Sequence, residues 1–215
     1  MPFIVFEGGE SCGKTTQANR LQEWLRDNQK VSFFTREPGG TPLAEDIRSL
    51  FKAIPSHGDA PTPLTELYMV MASRSQHVEK VIIPSLEENQ FIVCDRFLDS
   101  SYAYQHILGG VDKSVVDSVA KPILKNVIPD ITFVFDLDPQ VANERASKRD
   151  CSEGDRLDTA KLDVYKKLND AFLKIAKENY QYPCGRTPKR IIIDANRSVD
   201  EIQTDIRNTV TELFP

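Results

Sequence analysis

GGESCGKTT, Gly8 to Thr16, lies between the apolar run PFIVFE and a segment in which Ala18, Leu21 and Leu25 repeat at helical spacing. Gly8 to Thr15 fits the pattern G-x-x-x-x-G-K-[ST], with a strand expected before it and a helix after it. Glycines let backbone N–H groups turn inward around a polyanion, and the following helix adds its positive end and its unpaired N–H groups. The spacing predicts a loop whose backbone, through Gly8, Gly9, Glu10, Ser11, Cys12, Gly13 and Thr16, surrounds ATP phosphates. Lys14 would reach the β- and γ-phosphates, and Thr15 would offer its hydroxyl to Mg2+. A glycine-rich turn with no ligand is the plain alternative, disfavoured because spacing and context agree. Glu10 is out of character, since it puts a carboxylate in the middle of a loop suited to anions.

Four further runs, VSFFT, FIVCD, ITFVFDL and RIIID, are mostly apolar without clean alternation, as are parallel strands covered on both faces. Helical patterns separate them. Thr62-Pro63 and Asp138-Pro139 each place a capping residue before proline at the first helical position, and Ser198 with Glu201 forms a capping box for the last helix. Strand–helix alternation implies a doubly wound α/β domain. No repeat or linker divides residues 1–215, so a single domain is expected. Residues 149–157 (RDCSEGDRL) and 54–62 (IPSHGDAPT) fit the alternation poorly and are candidate lids.

Composition narrows the function. Charged residues make up 27% of the 215-residue chain and apolar ones 40%, as in ordinary globular proteins. No apolar stretch approaches the ~20 residues of a membrane helix, so no membrane partner is expected. The formal charge of −5 disfavours a nucleic-acid binder, leaving any anion site local. Cys12, Cys94, Cys151 and Cys184 form no CxxC pair, and their scatter fits a reducing cytosol.

FIVCDR places Asp95 at the end of an apolar strand, where a carboxylate can hold the metal directly or through water; a helix-capping aspartate is the bland alternative. Neither the D-x-x-G nor the N-K-x-D element of GTPase switches occurs. A kinase for a phosphorylated acceptor must hold two anions together, and each pair of unit charges at ~4 Å repels by ~4 kcal/mol at an effective dielectric of ~20. Several arginines must therefore converge. Arg36 opens REPGGT, Arg74 lies in the long central helical segment, Arg96 follows Asp95, and Arg145, Arg149 and Arg156 bracket the charged loop.

FEGGESCGKTT, TREPGGT and DRF followed by SSYAYQ, in that order over residues 6 to 105, closely resemble the bacterial type of the thymidylate kinase family. The resemblance implies a P-loop NTPase-like α/β three-layer sandwich with a five-stranded parallel sheet, a mobile lid at about 149–157, and a homodimer. It implies transfer of the γ-phosphoryl group of ATP to dTMP with Mg2+. It gives Glu10 a role, accepting a hydrogen bond from the 3′-hydroxyl of the acceptor sugar. By the same resemblance Arg36 and Arg96 clamp the dTMP phosphate, Arg74 bonds the thymine edge, Ser101 and Gln105 line the pocket, and Tyr104 crowds the 2′ position. The lid supplies the catalytic arginine, assigned to Arg149, while Arg145 packs on adenine.

One position departs from the pattern. The family places an aromatic ring four residues before the helix arginine, where this chain has Val70. Either Phe97 or Tyr68 substitutes or thymine is held more weakly, and the plain alternative is that Val70 packs in the core. A phosphate monoester is largely dianionic near neutrality, with a second pKa of ~6, so no general base is required. His57, His77 and His106 are accordingly expected at the surface or an interface. The segment 63–90, bent at Pro84, reads equally as an interface element and as part of a monomer's core. A kinase for another nucleoside monophosphate, such as dUMP or a modified pyrimidine, and an ATP-dependent switch without transfer stand as the competing functions.

Overall fold

The computed structural model describes residues 2–53, 58–148 and 162–215. All five apolar runs form strands: β1 (Phe3–Gly8), β2 (Ser32–Arg36), β3 (Phe91–Asp95), β4 (Ile131–Asp136) and β5 (Lys189–Asp194). They pair in parallel in the order β2-β3-β1-β4-β5. Continuous apolarity has the expected cause, because alternate residues enter two different cores. Phe3 and Val5 of β1 face one, Ile4 and Phe6 the other.

Helices cover both faces. On the Phe3 side lie α3 (Pro63–His77), α6 (Lys113–Leu124) and most of the buried residues of α8 (Leu162–Lys177). On the Ile4 side lie α1 (Lys14–Asp27), α7 (Pro139–Ser147) and α9 (Val199–Leu213). Also among the described residues are α2 (Pro42–Lys52), two short helices, α4 (Ile83–Glu87) and α5 (Leu98–Ser101), and a π-helical stretch, Tyr102–Leu108, that follows α5 directly. The foreseen caps are present. Thr62 accepts from Thr65 N, Asp138 from Gln140 N, and Ser198 and Glu201 close a reciprocal capping box on α9. Thr41 caps α2 in addition.

The segment 63–90 is not one bent helix. A π-helical turn, Val78–Ile82, joins α3 to α4 and ends with Ile83 N–H donating to Val78 O. Pro84 sits in the first turn of α4, just after this wide turn. In an uninterrupted α-helix its ring would meet the carbonyl four residues back, and the π turn relieves that clash.

The strand order reverses at β1, with β3 on one side and β4 on the other. Ligands of open α/β sheets bind at the carboxyl ends of the strands beside such a switch point. The register pairs Asp95 with Phe6 and with Arg36, so the phosphate loop, Asp95-Arg96 and Arg36-Glu37 emerge side by side.

Candidate active site

Gly13 starts α1 in the left-handed region at φ 93°, a conformation that costs glycine little, and no side chain caps the helix end behind it. The first N–H groups of α1 thus remain available to an anion. Lys14 is buried, and its Nζ donates to Gly9 O at 2.6 Å within the concave loop. Thr15 and Thr16 are exposed at the start of the helix. Cys12 is buried against the loop, with its Sγ 3.5 Å from Lys14 Nζ.

Thr15 Oγ1 donates to Asp95 Oδ2 across 80 residues of sequence. The other carboxylate oxygen, Asp95 Oδ1, is buried without a hydrogen-bond partner. A buried orphan carboxylate oxygen beside a hydroxyl is costly unless something binds it, and hard cations take oxygen ligands of this kind. The two residues expected to hold Mg2+ therefore suit it. Among the described residues no group of three or more His, Cys, Asp or Glu could hold a metal. Phosphate and water would have to supply the remaining ligands.

A cavity of about 220 Å³ opens beside the loop. Its walls include Glu10, Lys14, Thr15, Arg36, Arg74 and Asp95, and also Arg96, Ser101, Tyr104 and Gln105. The residues expected at the acceptor and the metal thus meet in one space. Glu10 turns toward it, accepting from Arg96 Nη2 at 2.6 Å and from Tyr104 OH at 2.8 Å. Burial opposes the charge on Arg96, but Glu10, Tyr104, Asp95 and Glu7 outweigh it and hold the guanidinium well above its ordinary pKa. Arg36 is half exposed and pairs with Glu45 at 2.9 Å.

Arg74 is buried and largely committed to protein partners. Its Nε donates to Glu37 Oε2 at 2.6 Å, Nη1 to Ser101 Oγ at 2.9 Å and Nη2 to Phe97 O at 2.9 Å. Behind it stands His77, fully buried rather than at a surface or interface. Its Nδ1 lies 3.0 Å from Glu37 Oε1 and its Nε2 2.7 Å from Thr35 Oγ1. Val70, Arg74 and His77 follow one stripe of α3, a helical spacing visible in the sequence that carries the histidine inward with the arginine. His106 is half-buried, with Nδ1 2.7 Å from Val111 O. His57 lies outside the described residues.

Other members of the site escaped the sequence reading. Arg48 lines the cavity and donates from Nη1 to Pro38 O at 2.9 Å. Burial first, and then the neighbouring Arg36, lower its pKa, a sign of crowded cations. Phe51 and Lys52 also line the cavity. Ala44, Arg48 and Phe51 share one face of α2 at spacings of four and three, and that periodicity was the available signal. Val70 reaches the cavity while also packing in the core. Of the two aromatic substitutes considered, Phe97 lines the cavity, whereas Tyr68 is 54% exposed and stands away from it. Arg145 is exposed on α7 and does not line the cavity. Arg149, Arg156 and the whole of 149–157 lie outside the described residues.

Comparison with known proteins agrees with this geometry. The family model described as thymidylate kinase matches residues 6–206. A thymidylate kinase from a Marinomonas species is 37% identical over 212 residues, covering 98% of this chain and 94% of that protein. One from Symbiobacterium thermophilum is 37% identical over 215 residues, covering 99% and 94%. A crystal structure of thymidylate kinase from Ehrlichia chaffeensis superposes with a TM-score of 0.72 at 30% identity, covering 98% of both chains. Sheet order, phosphate loop and near full-length similarity lead to one conclusion: the chain belongs to the thymidylate kinase family.

Proposed function

We propose that this protein transfers the γ-phosphoryl group of ATP to dTMP, giving dTDP and ADP. The observation that carries the reading is the cavity beside the phosphate loop, into which four arginines, Arg36, Arg48, Arg74 and Arg96, and the loop's own Glu10 all face. A site for one nucleotide has no use for a carboxylate at that point, whereas a second nucleotide offers it a sugar hydroxyl. In the transfer, an oxygen of the dTMP phosphate attacks the γ-phosphorus, the bond to the β–γ bridging oxygen breaks, and ADP leaves with the electron pair. Lys14 and the N–H groups of α1 hold the donor phosphates, and Arg36, Arg48 and Arg96 offset the repulsion of the incoming one. Thr15 and Asp95 would hold Mg2+, which supplies charge neutralisation on the β- and γ-oxygens when bound. Arg74 presents the edge of the base pocket, and Ser101, Tyr104 and Gln105 close its sides. We assign the catalytic lid arginine to Arg149 and the adenine contact to Arg145, within a single catalytic domain whose lid spans 149–157.

A homodimer is part of the proposal. Leu43 and Leu50 on α2, Leu64 and Tyr68 on α3, and Val115 on α6 leave apolar side chains exposed on three helices, of which α3 packs against the other two. A cytosolic location fits the free thiols of Cys12, Cys94 and Cys184 and the nucleotide substrates. No helix among the described residues is long and apolar enough to cross a membrane.

The test is a coupled ADP-release assay with dTMP, dUMP, UMP, CMP and AMP offered in turn. Release that depends on dTMP above the others is the expected result. Equal release with dUMP would mean that Val70, lacking a ring face, leaves the base pocket indifferent to the thymine methyl. ATP binding without acceptor-dependent release would mean a switch.

A further inference from the structure

Glu7 is a buried acidic residue that the reaction just described does not use. It is fully buried near the end of β1, among strand neighbours that are otherwise apolar or glycine. A buried carboxylate survives only where donors satisfy it, and its donors come from one place, the residues that follow Arg96. Phe97 N donates to Oε1 at 2.7 Å, Ser100 N to Oε1 at 3.1 Å, and Ser100 Oγ to Oε2 at 2.6 Å. The Ser100 hydroxyl then accepts from Arg96 Nη1 at 3.1 Å.

Arg96 itself has φ 73°, a left-handed backbone that a long side chain adopts only when its surroundings impose it. The surroundings here are β1. Arg96 N–H is tied to Phe6 O at 2.9 Å, the next amide to Glu7, and the guanidinium to Gly8 O at 3.0 Å. Phe97 begins α5 without a capping side chain of its own. Glu7 thus takes, from another strand, the place of the cap that this helix lacks, and it braces the turn without itself lining the cavity.

We propose that Glu7 is a positioning residue for Arg96, holding the left-handed turn and, through the Ser100 hydroxyl, the direction in which the guanidinium meets the acceptor phosphate. The inference rests on the reading of Arg96 as the clamp on that phosphate. It concerns the acceptor alone, because the donor phosphates are held by the loop and α1.

Steady-state kinetics with ATP and dTMP varied separately, together with thermal melts, test it on Glu7→Gln, Glu7→Asp, Ser100→Ala and Arg96→Ala. The expected result for Glu7→Gln is a KM for dTMP raised about tenfold and a kcat lowered about tenfold, with the KM for ATP unchanged. Adding Ser100→Ala to Glu7→Gln should cost little more, since both break the same link. Wild-type dTMP kinetics in Glu7→Gln would overturn the proposal, as would equal damage to both substrates. Should Glu7→Gln not fold, Glu7→Asp decides, because its shorter side chain keeps the carboxyl group but draws back from Ser100. If that also fails to fold, Ser100→Ala decides, with unchanged dTMP kinetics counting against the relay. Arg96→Ala separates this inference from the one beneath it. Unimpaired dTMP kinetics there would remove the clamp itself, whereas an impaired Arg96→Ala beside a normal Glu7→Gln would remove only the role of Glu7.

Discussion

Asp95 and Glu7 are both buried acids at strand ends, yet their surroundings ask opposite things of them. Asp95 has one oxygen on the Thr15 hydroxyl and the other without a partner, an arrangement that a cation would suit. Asp95→Asn should therefore lower activity about 10–100-fold and raise the Mg2+ concentration needed for half-maximal rate, as a magnesium titration would read. An unchanged magnesium requirement would return Asp95 to a structural role. In Glu7, burial and then Asp99 push the pKa up from 4.5 to about 7, against Arg96 and the hydrogen bonds from Ser100 and Phe97. The folded state thus holds a proton that the unfolded chain releases above its ordinary pKa. The resulting stability is present below that value and is lost as pH rises through about 7. The linkage amounts to about 3 kcal/mol at most. Urea denaturation between about pH 5 and about pH 8 should show the wild type losing stability relative to Glu7→Gln by up to that amount. A constant difference would mean that the carboxylate stays charged throughout. The phosphate loop, Asp95 and Arg96 were legible in the sequence because each belongs to a motif whose spacing states its chemistry. Glu7, Glu37 and His77 were not, since residue type alone does not tell what a buried polar side chain faces.

At the scale of elements, all five strands were legible, because a run apolar on both faces has few other destinations. The caps at Thr62, Asp138 and Ser198 were legible for a similar reason, as each joins a side-chain acceptor to the first turn of a helix. Ser198→Ala should cost about 1 kcal/mol in a urea melt and leave kinetics unchanged, since α9 lies on the face of the sheet away from the acceptor pocket. A kinetic defect would mean that α9 steadies α1, which it packs against, more than the cap alone implies. The π turn before Pro84 escaped notice because proline announces an interruption without saying how the chain absorbs it. In α2, the spacing of four and three between Ala44, Arg48 and Phe51 marks a shared inward face, but spacing alone does not tell a core face from a cavity wall.

For the molecule as a whole, the exposed apolar side chains of α2, α3 and α6 set the expected assembly. Leu64 and Tyr68, one helical turn apart on α3, lie outside the cavity. Leu64→Glu with Tyr68→Glu should shift sedimentation from dimer to monomer while the isolated chain keeps its fold. A wild type that sediments as a monomer would dismiss the interface. The strand order has a consequence for how the chain comes into being. β2 pairs with β3 and not with β1, and β1 pairs only with β3 and β4. During synthesis, therefore, no part of the sheet can form until residues 91–95 have left the ribosome. Until then the greasy first strand waits without a partner, so the enzyme's earliest vulnerability is to aggregation as an unfinished polypeptide.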